Sequence, residues 1–269
     1  EAGDSLRTSA FERLARLYPH ALITLTEQYR MNAPICTLVS ETFYDGRLVP
    51  GTDEVAGRTL AGWLAGLGMP EPSGSIWSGP PVVLITTEAD PNARDSGARF
   101  TAGRSADEAR DNPREAEIIA ALLAELVRPF PQERRLDVAR EIGVISPYRR
   151  QNNRIRQELL RHDEALAAVR VDTVDRFQGG EREVIVVSLV NSNDEAAIGR
   201  LHAEWRRMNV AISRARRALV IVGDRSTFTR DSGRPEEDEA RRYYRALFAA
   251  IERLERQGQA RVLDSRRLP

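Results

Sequence analysis

Lysine is missing from this chain: all 40 of its basic residues are arginine. A phosphate-binding loop of the form GxxxxGK(S/T) needs its lysine to reach the β- and γ-phosphates, so this chain carries no such loop. Schiff-base and kinase-type lysines are excluded on the same ground. An excess of one charge is also missing, because 40 Asp and Glu balance the arginines. That rules out a generally basic coat for nucleic acid and leaves room only for a local stripe. Cys36 is the single cysteine, so no internal disulfide can form; with three scattered histidines it makes no zinc-ligand spacing. No apolar run approaches the roughly 18 to 20 residues of a membrane span. The opening EAGDSLRTSA has neither the basic start nor the apolar stretch of a signal peptide. An intracellular, cytoplasmic setting and no membrane partner are expected.

What is present reads as a globular α/β protein, with 41% hydrophobic and 30% charged residues. Short apolar runs alternate with amphipathic stretches, as in a buried parallel sheet with crossover helices. Strands are expected at residues 22–25, 82–86, 142–146, 169–174, 184–190 and 219–222. Runs such as VIVVSLV show no polar alternation, so both faces of the sheet must be covered. Helices are expected at 34–43, 113–127, 148–162, 201–216 and 236–257. The second of these has Asn112 as N-cap, Pro113 at its first position and Glu115 in its first turn. Stretches near 51–80 and 88–111 read as irregular surface excursions, with Trp63 and Trp77 as local anchors in the first. The last long helix has Tyr243, Leu247, Ala250, Ile251 and Leu254 at helical spacing, the pattern of a core-covering helix.

Four segments carry chemistry. In LTEQYRMNAPICTL, Gln28, Tyr29 and Arg30 fall on a loop after an expected strand, and open α/β sheets bind ligands at strand ends. Tyr29 offers a flat face and Arg30 a guanidinium fork for phosphate. Taken alone, an Arg30 paired with a nearby acid is the better reading. In IGVISPYRRQNNRIRQELL, a strand runs through Ser146 and Pro147 into a helix start, a natural phosphate contact. Arg149, Arg150, Arg154 and Arg156 could steer a nucleic-acid backbone or form a solvated face, and the two readings weigh evenly.

In VDTVDRFQGGEREVIVVSLV, Thr173 and Asp175 follow a strand, and a Gln178-Gly179-Gly180 turn places Glu181 before the next. Paired glycines let backbone approach a phosphate, and a carboxylate can bind ribose hydroxyls. In EWRRMNVAISRARRALVIVGD, Trp205, Met208, Ile212 and Ala215 form an apolar stripe. Helical spacing points Arg207 and Arg214 the same way, with arginines at a helix C-terminus as the plain alternative.

Together and in this order, QYRM (28–31), ISPY (145–148), VDTVDRFQGGE (171–181) and RRMNVAISRAR (206–216) resemble the superfamily 1 helicases. The branch they are most similar to is that of the nonsense-mediated-decay RNA helicase and senataxin, whose fourth to sixth motifs read nearly this way. The resemblance covers roughly residues 25 to 224, essentially a whole second RecA-like domain. It implies an α/β, RecA-like, P-loop NTPase-type parallel sheet flanked by helices, the second motor domain lacking the Walker A loop. Residues 1–24 then lead in from a first RecA-like domain, 25–234 form the second, and 235–269 a C-terminal helix and tail.

By the same resemblance, Arg30 and Arg214 match the arginine fingers that reach the γ-phosphate of ATP across the domain cleft. Tyr29 matches a position beside the adenine, Glu181 the ribose-binding carboxylate, and Gly179 backbone near the γ-phosphate. Gln28 is placed in the nucleotide pocket. Ser146, with Pro147, and Thr173 match positions that touch the nucleic-acid backbone. Asn32 stands where histidine is common, Ser213 where threonine is, and Gly180 where a basic or polar residue is usual.

The function implied is the C-terminal motor domain of an ATP-dependent helicase or translocase. Its partners are single-stranded DNA or RNA and the N-terminal RecA-like domain of the same protein, which holds Mg²⁺. Travel is 5′ to 3′ by resemblance, and the isolated chain is expected to lack ATPase activity. The alternative is a non-catalytic nucleic-acid-binding or regulatory module that kept the fold. A Rossmann-type dehydrogenase is set aside because no GxGxxG follows a strand.

Overall fold

The computed structural model describes residues 10–69, 75–97, 110–129, 137–177 and 179–268. The strands are β1 (Glu27–Gln28), β2 (Val49–Pro50), β3 (Val82–Thr86), β4 (Ile142–Ile145), β5 (Arg170–Asp172), β6 (Arg182–Ser188), β7 (Ala215–Gly223) and β8 (Ala260–Asp264). Helices α1 (Ala10–Leu17), α2 (Ala33–Phe43), α3 (Asp53–Ala56), α4 (Leu60–Gly66), α5 (Pro113–Val127) and α6 (Val138–Glu141) come first. They are followed by α7 (Arg149–His162), α8 (Val174–Phe177), α9 (Gly199–Ala203), α10 (Arg206–Ile212), α11 (Arg225–Thr229) and α12 (Asp238–Arg256). Six strands form one sheet in the order β5-β4-β6-β7-β3-β8, and every pairing in it is parallel. This is the α/β, RecA-like arrangement expected.

Strand periodicity divides the apolar runs between two cores. Val82 and Leu84, Ile185 and Val187, and Leu219 and Ile221 pack on one face with α2 and α12. Val83 and Ile85, Val184 and Val186, and Val220 and Val222 pack on the other with α5 and α7. Side chains alternate across a pleat, so a strand apolar at every position is satisfied only when helices cover both faces.

Helix α5 begins as its sequence requires: Asn112 Oδ1 accepts from the Glu115 N–H at 3.2 Å, and Pro113 occupies the first turn. Helix α12 buries Leu247, Ala250, Ile251 and Leu254, whereas Tyr243 lies at its margin, stacked on Trp205 with ring centroids 3.7 Å apart. In the first excursion Trp77 is a true anchor, its indole N–H donating to the Leu122 carbonyl at 2.9 Å. That excursion also contains α3 and α4. Parts of both excursions, and Gln178, lie outside the described residues.

Several expectations are corrected. Residues 22–25 form no strand; Ile23 and Leu25 are 86% and 79% exposed, and the chain first pairs at β1, which meets only β2 outside the main sheet. With no neighbouring strand, an apolar run cannot close a ladder. The expected helix at 201–216 is broken: α9 stops at Ala203, α10 at Ile212, and β7 starts at Ala215. Strand β6 ends at Ser188 because Val190 turns to φ 69°. The short pair β1–β2 was not expected, and neither was one strand of the main sheet. Ala260–Asp264 adds to β3 at the sheet edge, and its burial is too slight to leave an apolar run in the sequence. Among the described residues, no helix is long and apolar enough to cross a membrane.

Candidate functional site

The expected site residues separate into two groups on opposite edges of the sheet. Arg182 pairs with Ala215 where β6 and β7 begin, so Gly179, Gly180, Glu181 and Arg214 stand at the N-terminal edge. Ser146 and Thr173 follow β4 and β5, at the C-terminal edge. The rule that ligands sit beyond carboxyl ends of strands therefore fits the second group and not the first.

At the N-terminal edge, the 28–32 turn is bolted to the start of β7. The Asn32 N–H donates to Arg216 O at 3.0 Å, and its side-chain amide donates to Arg58 O and Arg217 O at 3.0 Å. Asn32 Oδ1 also caps α2 by accepting from the Ile35 N–H at 3.2 Å. Gln28 works inside this turn: its Oε1 accepts from the N–H groups of Arg30 (2.8 Å) and Met31 (2.7 Å). Its Nε2 donates to Met31 O at 2.8 Å, so Gln28 shapes the turn that presents Arg30. Arg58 Nη1 donates to the carbonyls of Tyr29 (3.1 Å) and Arg30 (3.3 Å). Nothing in the sequence marked Arg58, which lies in the irregular excursion; Asn32 was legible as a cap ahead of Pro34.

Arg30 and Arg214 converge on Glu181 and the glycine turn. Arg30 Nε donates to Glu181 Oε2 at 2.8 Å, and its Nη1 to Ser213 O at 3.1 Å. Arg214 Nε donates to Val210 O at 3.1 Å, and its Nη1 to Gly180 O at 3.2 Å. Each guanidinium is thus held by two nitrogens. Burial, and after it the nearby charge of Arg30, lowers the Arg214 pKa from its ordinary value. Two guanidiniums this close repel, and an anion between them would relieve the repulsion. For Glu181, burial pushes its pKa up, but the Arg30 hydrogen bond and the charges of Arg30, Arg216 and Arg58 outweigh it; the carboxyl is lowered and stays ionised.

Gly179 has φ 83° and open space where a side chain would be, so its backbone is approachable. Tyr29 is exposed, its hydroxyl donating to Glu27 Oε2 at 3.0 Å. Its ring lies against Gly51, where a Cβ would come within 2.3 Å of the Tyr29 Cζ.

At the C-terminal edge, Ser146, Pro147 and Thr173 line one cavity of about 270 Å³. The Ser146 hydroxyl is buried and committed to its own turn, donating to Tyr148 O at 3.2 Å and accepting from the Tyr148 N–H at 3.3 Å. Helix α7 starts there and aims the positive end of its dipole at this edge. Of the four arginines in the α7 segment, only Arg149 lines the cavity. Arg150 and Arg154 pair with Asp111 at 3.1 and 3.3 Å, and Arg156 bonds Asn153 Oδ1 at 2.9 Å.

Arg207 lines the cavity and pairs with Asp175 at 3.3 Å. The expected common direction of Arg207 and Arg214 is therefore corrected, since Arg214 lies past the end of α10 and faces the other edge. Among the described residues, no three His, Cys, Asp or Glu side chains gather as a metal site. Cys36 is buried, which raises its thiol pKa.

Comparison with known proteins adds a family. The family described as "AAA domain" matches residues 6–226. The DNA replication ATP-dependent helicase/nuclease DNA2 of Mus musculus is 32% identical over 245 residues, covering 82% of this chain and 20% of that protein. The DNA replication ATP-dependent helicase/nuclease JHS1 of Arabidopsis thaliana is 32% identical over 226 residues, covering 82% and 15%. The DNA polymerase alpha-associated DNA helicase A of Saccharomyces cerevisiae is 33% identical over 232 residues, covering 82% and 30%. The chain thus spans less than a third of the length of each of these relatives.

Proposed function

Starting from a chain that belongs to the AAA domain family and is a superfamily 1 helicase domain, we propose that it serves as the second, C-terminal motor domain of an ATP-dependent helicase or translocase. The observation that carries this reading is the meeting of Arg30, Glu181, Gly180 and Arg214, drawn from three distant segments, at one edge of the sheet. In this reading a P-loop domain of the same protein faces that edge and holds the metal. ATP bound there brings Mg²⁺ to balance phosphate charge and supplies the phosphoryl group to be transferred. The described residues fit the anion and not the metal: two anchored guanidiniums are present and no acidic cluster is.

Arg30 and Arg214 stabilise negative charge as the terminal phosphoryl group leaves, at no cost of reorganisation because each is already fixed by two hydrogen bonds. Glu181 holds Arg30 and offers its second oxygen to a ribose hydroxyl. Tyr29 covers the base, and Gly179 lets backbone N–H groups approach phosphate. Gln28 acts through the turn rather than on the nucleotide. Ser146, Pro147 and Thr173 floor the groove for a single strand. The fourth to sixth motifs support a place beside the nonsense-mediated-decay helicase and senataxin, while the names of the relatives favour DNA over RNA as the track.

The test uses the longer protein that joins this chain to a P-loop domain. Arg30→Ala or Arg214→Ala should spare ATP binding and cut strand-stimulated hydrolysis by about 10³-fold or more. Normal turnover in either variant removes that residue's finger role. Comparing stimulation by single-stranded DNA and RNA decides the track. Substantial turnover by the 269-residue chain alone, abolished by Arg214→Ala, would overturn the half-site reading.

A further inference from the structure

The groove at the C-terminal edge is guarded by an ion pair that the functional reading above does not use. Arg207, on α10, meets Asp175, on α8, at 3.3 Å, and both residues line the cavity floored by Ser146, Pro147 and Thr173. Arg149 and Arg200 complete its charged lining, which holds three arginines and a single carboxylate. The pair is half open to water: the Arg207 side chain is 35% exposed and that of Asp175 66%. An ion pair so exposed is weak, because water screens it and two side chains must be held for it. Arg207 also offers a planar donor fork, which suits a phosphodiester at least as well as a single carboxylate oxygen.

We propose that Arg207 is a phosphate-binding residue of this groove and that Asp175 is its resident competitor, displaced when a single strand binds. The inference rests on the reading of the groove as the nucleic-acid surface. It adds two residues that the sequence motifs did not assign to that surface. Asp175 occupies the fork when the groove is empty and lowers affinity for any backbone anion by having to be displaced. The exchange reads phosphate and not bases, so its effect is the same for every sequence.

The probe is a fluorescein-labelled oligothymidylate, titrated with the 269-residue chain at several salt concentrations and read by fluorescence anisotropy. Asp175→Asn should tighten binding by about two- to fivefold, the range an exposed ion pair can contribute. Arg207→Ala and Arg207→Gln should weaken binding equally on thymidylate and adenylate strands. Each should also lower the magnitude of the log–log salt slope by about 0.7, one single-strand phosphate contact. Combined with Arg207→Ala, Asp175→Asn should no longer tighten binding. Thermal melts should stay within a few degrees for all variants, since both side chains are partly exposed.

If Thr173→Ala weakens binding while Asp175→Asn and both Arg207 variants leave it unchanged, the exchange is wrong and the groove stands. Equal tightening by Asp175→Asn with and without Arg207 also overturns the exchange, reducing Asp175 to a general repulsion. If the wild-type chain does not bind the strand, or binds it without regard to Thr173, the groove reading and this inference fall together.

Discussion

Arg30 and Glu181 lie 151 residues apart in sequence, yet the Arg30 Nε donates to the Glu181 Oε2 at 2.8 Å. The bond joins a turn at the beginning of the fold to the glycine turn ahead of β6. Together with the Ser213 carbonyl, it holds the Arg30 guanidinium by protein contacts alone. Asn32 adds to this by tying the turn to the first residues of β7.

Asn32→Ala removes a helix cap and two amide hydrogen bonds in one substitution. The expected cost is about 1 to 3 kcal/mol. In a protein of this size that lowers the unfolding midpoint by roughly 3 to 10 °C. Differential scanning calorimetry measures it. An unchanged midpoint would mean that the turn is held elsewhere.

Stability should fall on both sides of a mildly acidic plateau. Burial pushes Glu115 up to about 8, although its carboxyl accepts from Ser188 Oγ at 2.6 Å and the Val190 N–H at 2.9 Å. The folded protein therefore takes up a proton there. Its contribution is complete below the ordinary carboxylate pKa of about 4.5 and is lost as pH rises towards 8. Burial lowers His202 to about 4, and its ring bonds Tyr244 Oη at 2.6 Å and Leu189 O at 2.8 Å. That contribution is complete above about 6.5 and is lost as pH falls towards 4. Denaturant midpoints measured from pH 4 to 9 should decline above pH 6.5. Glu115→Gln should flatten that decline; an identical slope in the variant excludes Glu115 as its source.

Gly143 sits in β4 directly under Phe177. A Cβ there would meet Phe177 Cζ at 2.7 Å and Ile185 Cδ1 at 2.9 Å. Phe177 is buried and covered by the Arg170 guanidinium at 4.6 Å, so it cannot yield cheaply. Gly143→Ala should cost about 1 to 3 kcal/mol through overpacking. Chemical denaturation gives the number directly, and a loss below the measurement error would show that the ring can move.

Glu255 guards the sheet edge. Its Oε1 accepts from the Val262 N–H at 2.7 Å, covering a donor that β8 would otherwise present to another chain. Glu255→Ala should introduce concentration-dependent association, seen by analytical ultracentrifugation, without changing the unfolding free energy by more than about 1 kcal/mol. A variant that sediments like the wild type at every concentration would assign edge protection to other groups.

The central strands and the long helices were legible because apolar runs and capping signals are local. VIVVSLV reads as a strand buried on both faces, true as far as Ser188, and Asn112-Pro113 reads as a helix start. The motifs likewise picked out Arg30, Glu181 and Arg214, and the fold brings them together. Local sequence misleads where the answer lies in a neighbour. Residues 22–25 have the composition of a strand and no strand to pair with, whereas Ala260–Asp264 has little strand character and pairs because β3 is there.

By itself the sequence determined chemistry and layer order: no lysine, hence no phosphate loop on this chain, and a parallel sheet covered on both faces. Tertiary structure alone decided direction. Seven residues separate Arg207 from Arg214, and a continuous helix would aim them alike. Because α10 ends at Ile212 and β7 starts at Ala215, one turns to Asp175 and the groove and the other to Gly180 at the opposite edge. Helix α10 gives way to β7 where Ala215 pairs with Arg182 and the Arg214 carbonyl accepts from the Arg182 N–H, and that partner strand comes from elsewhere in the chain.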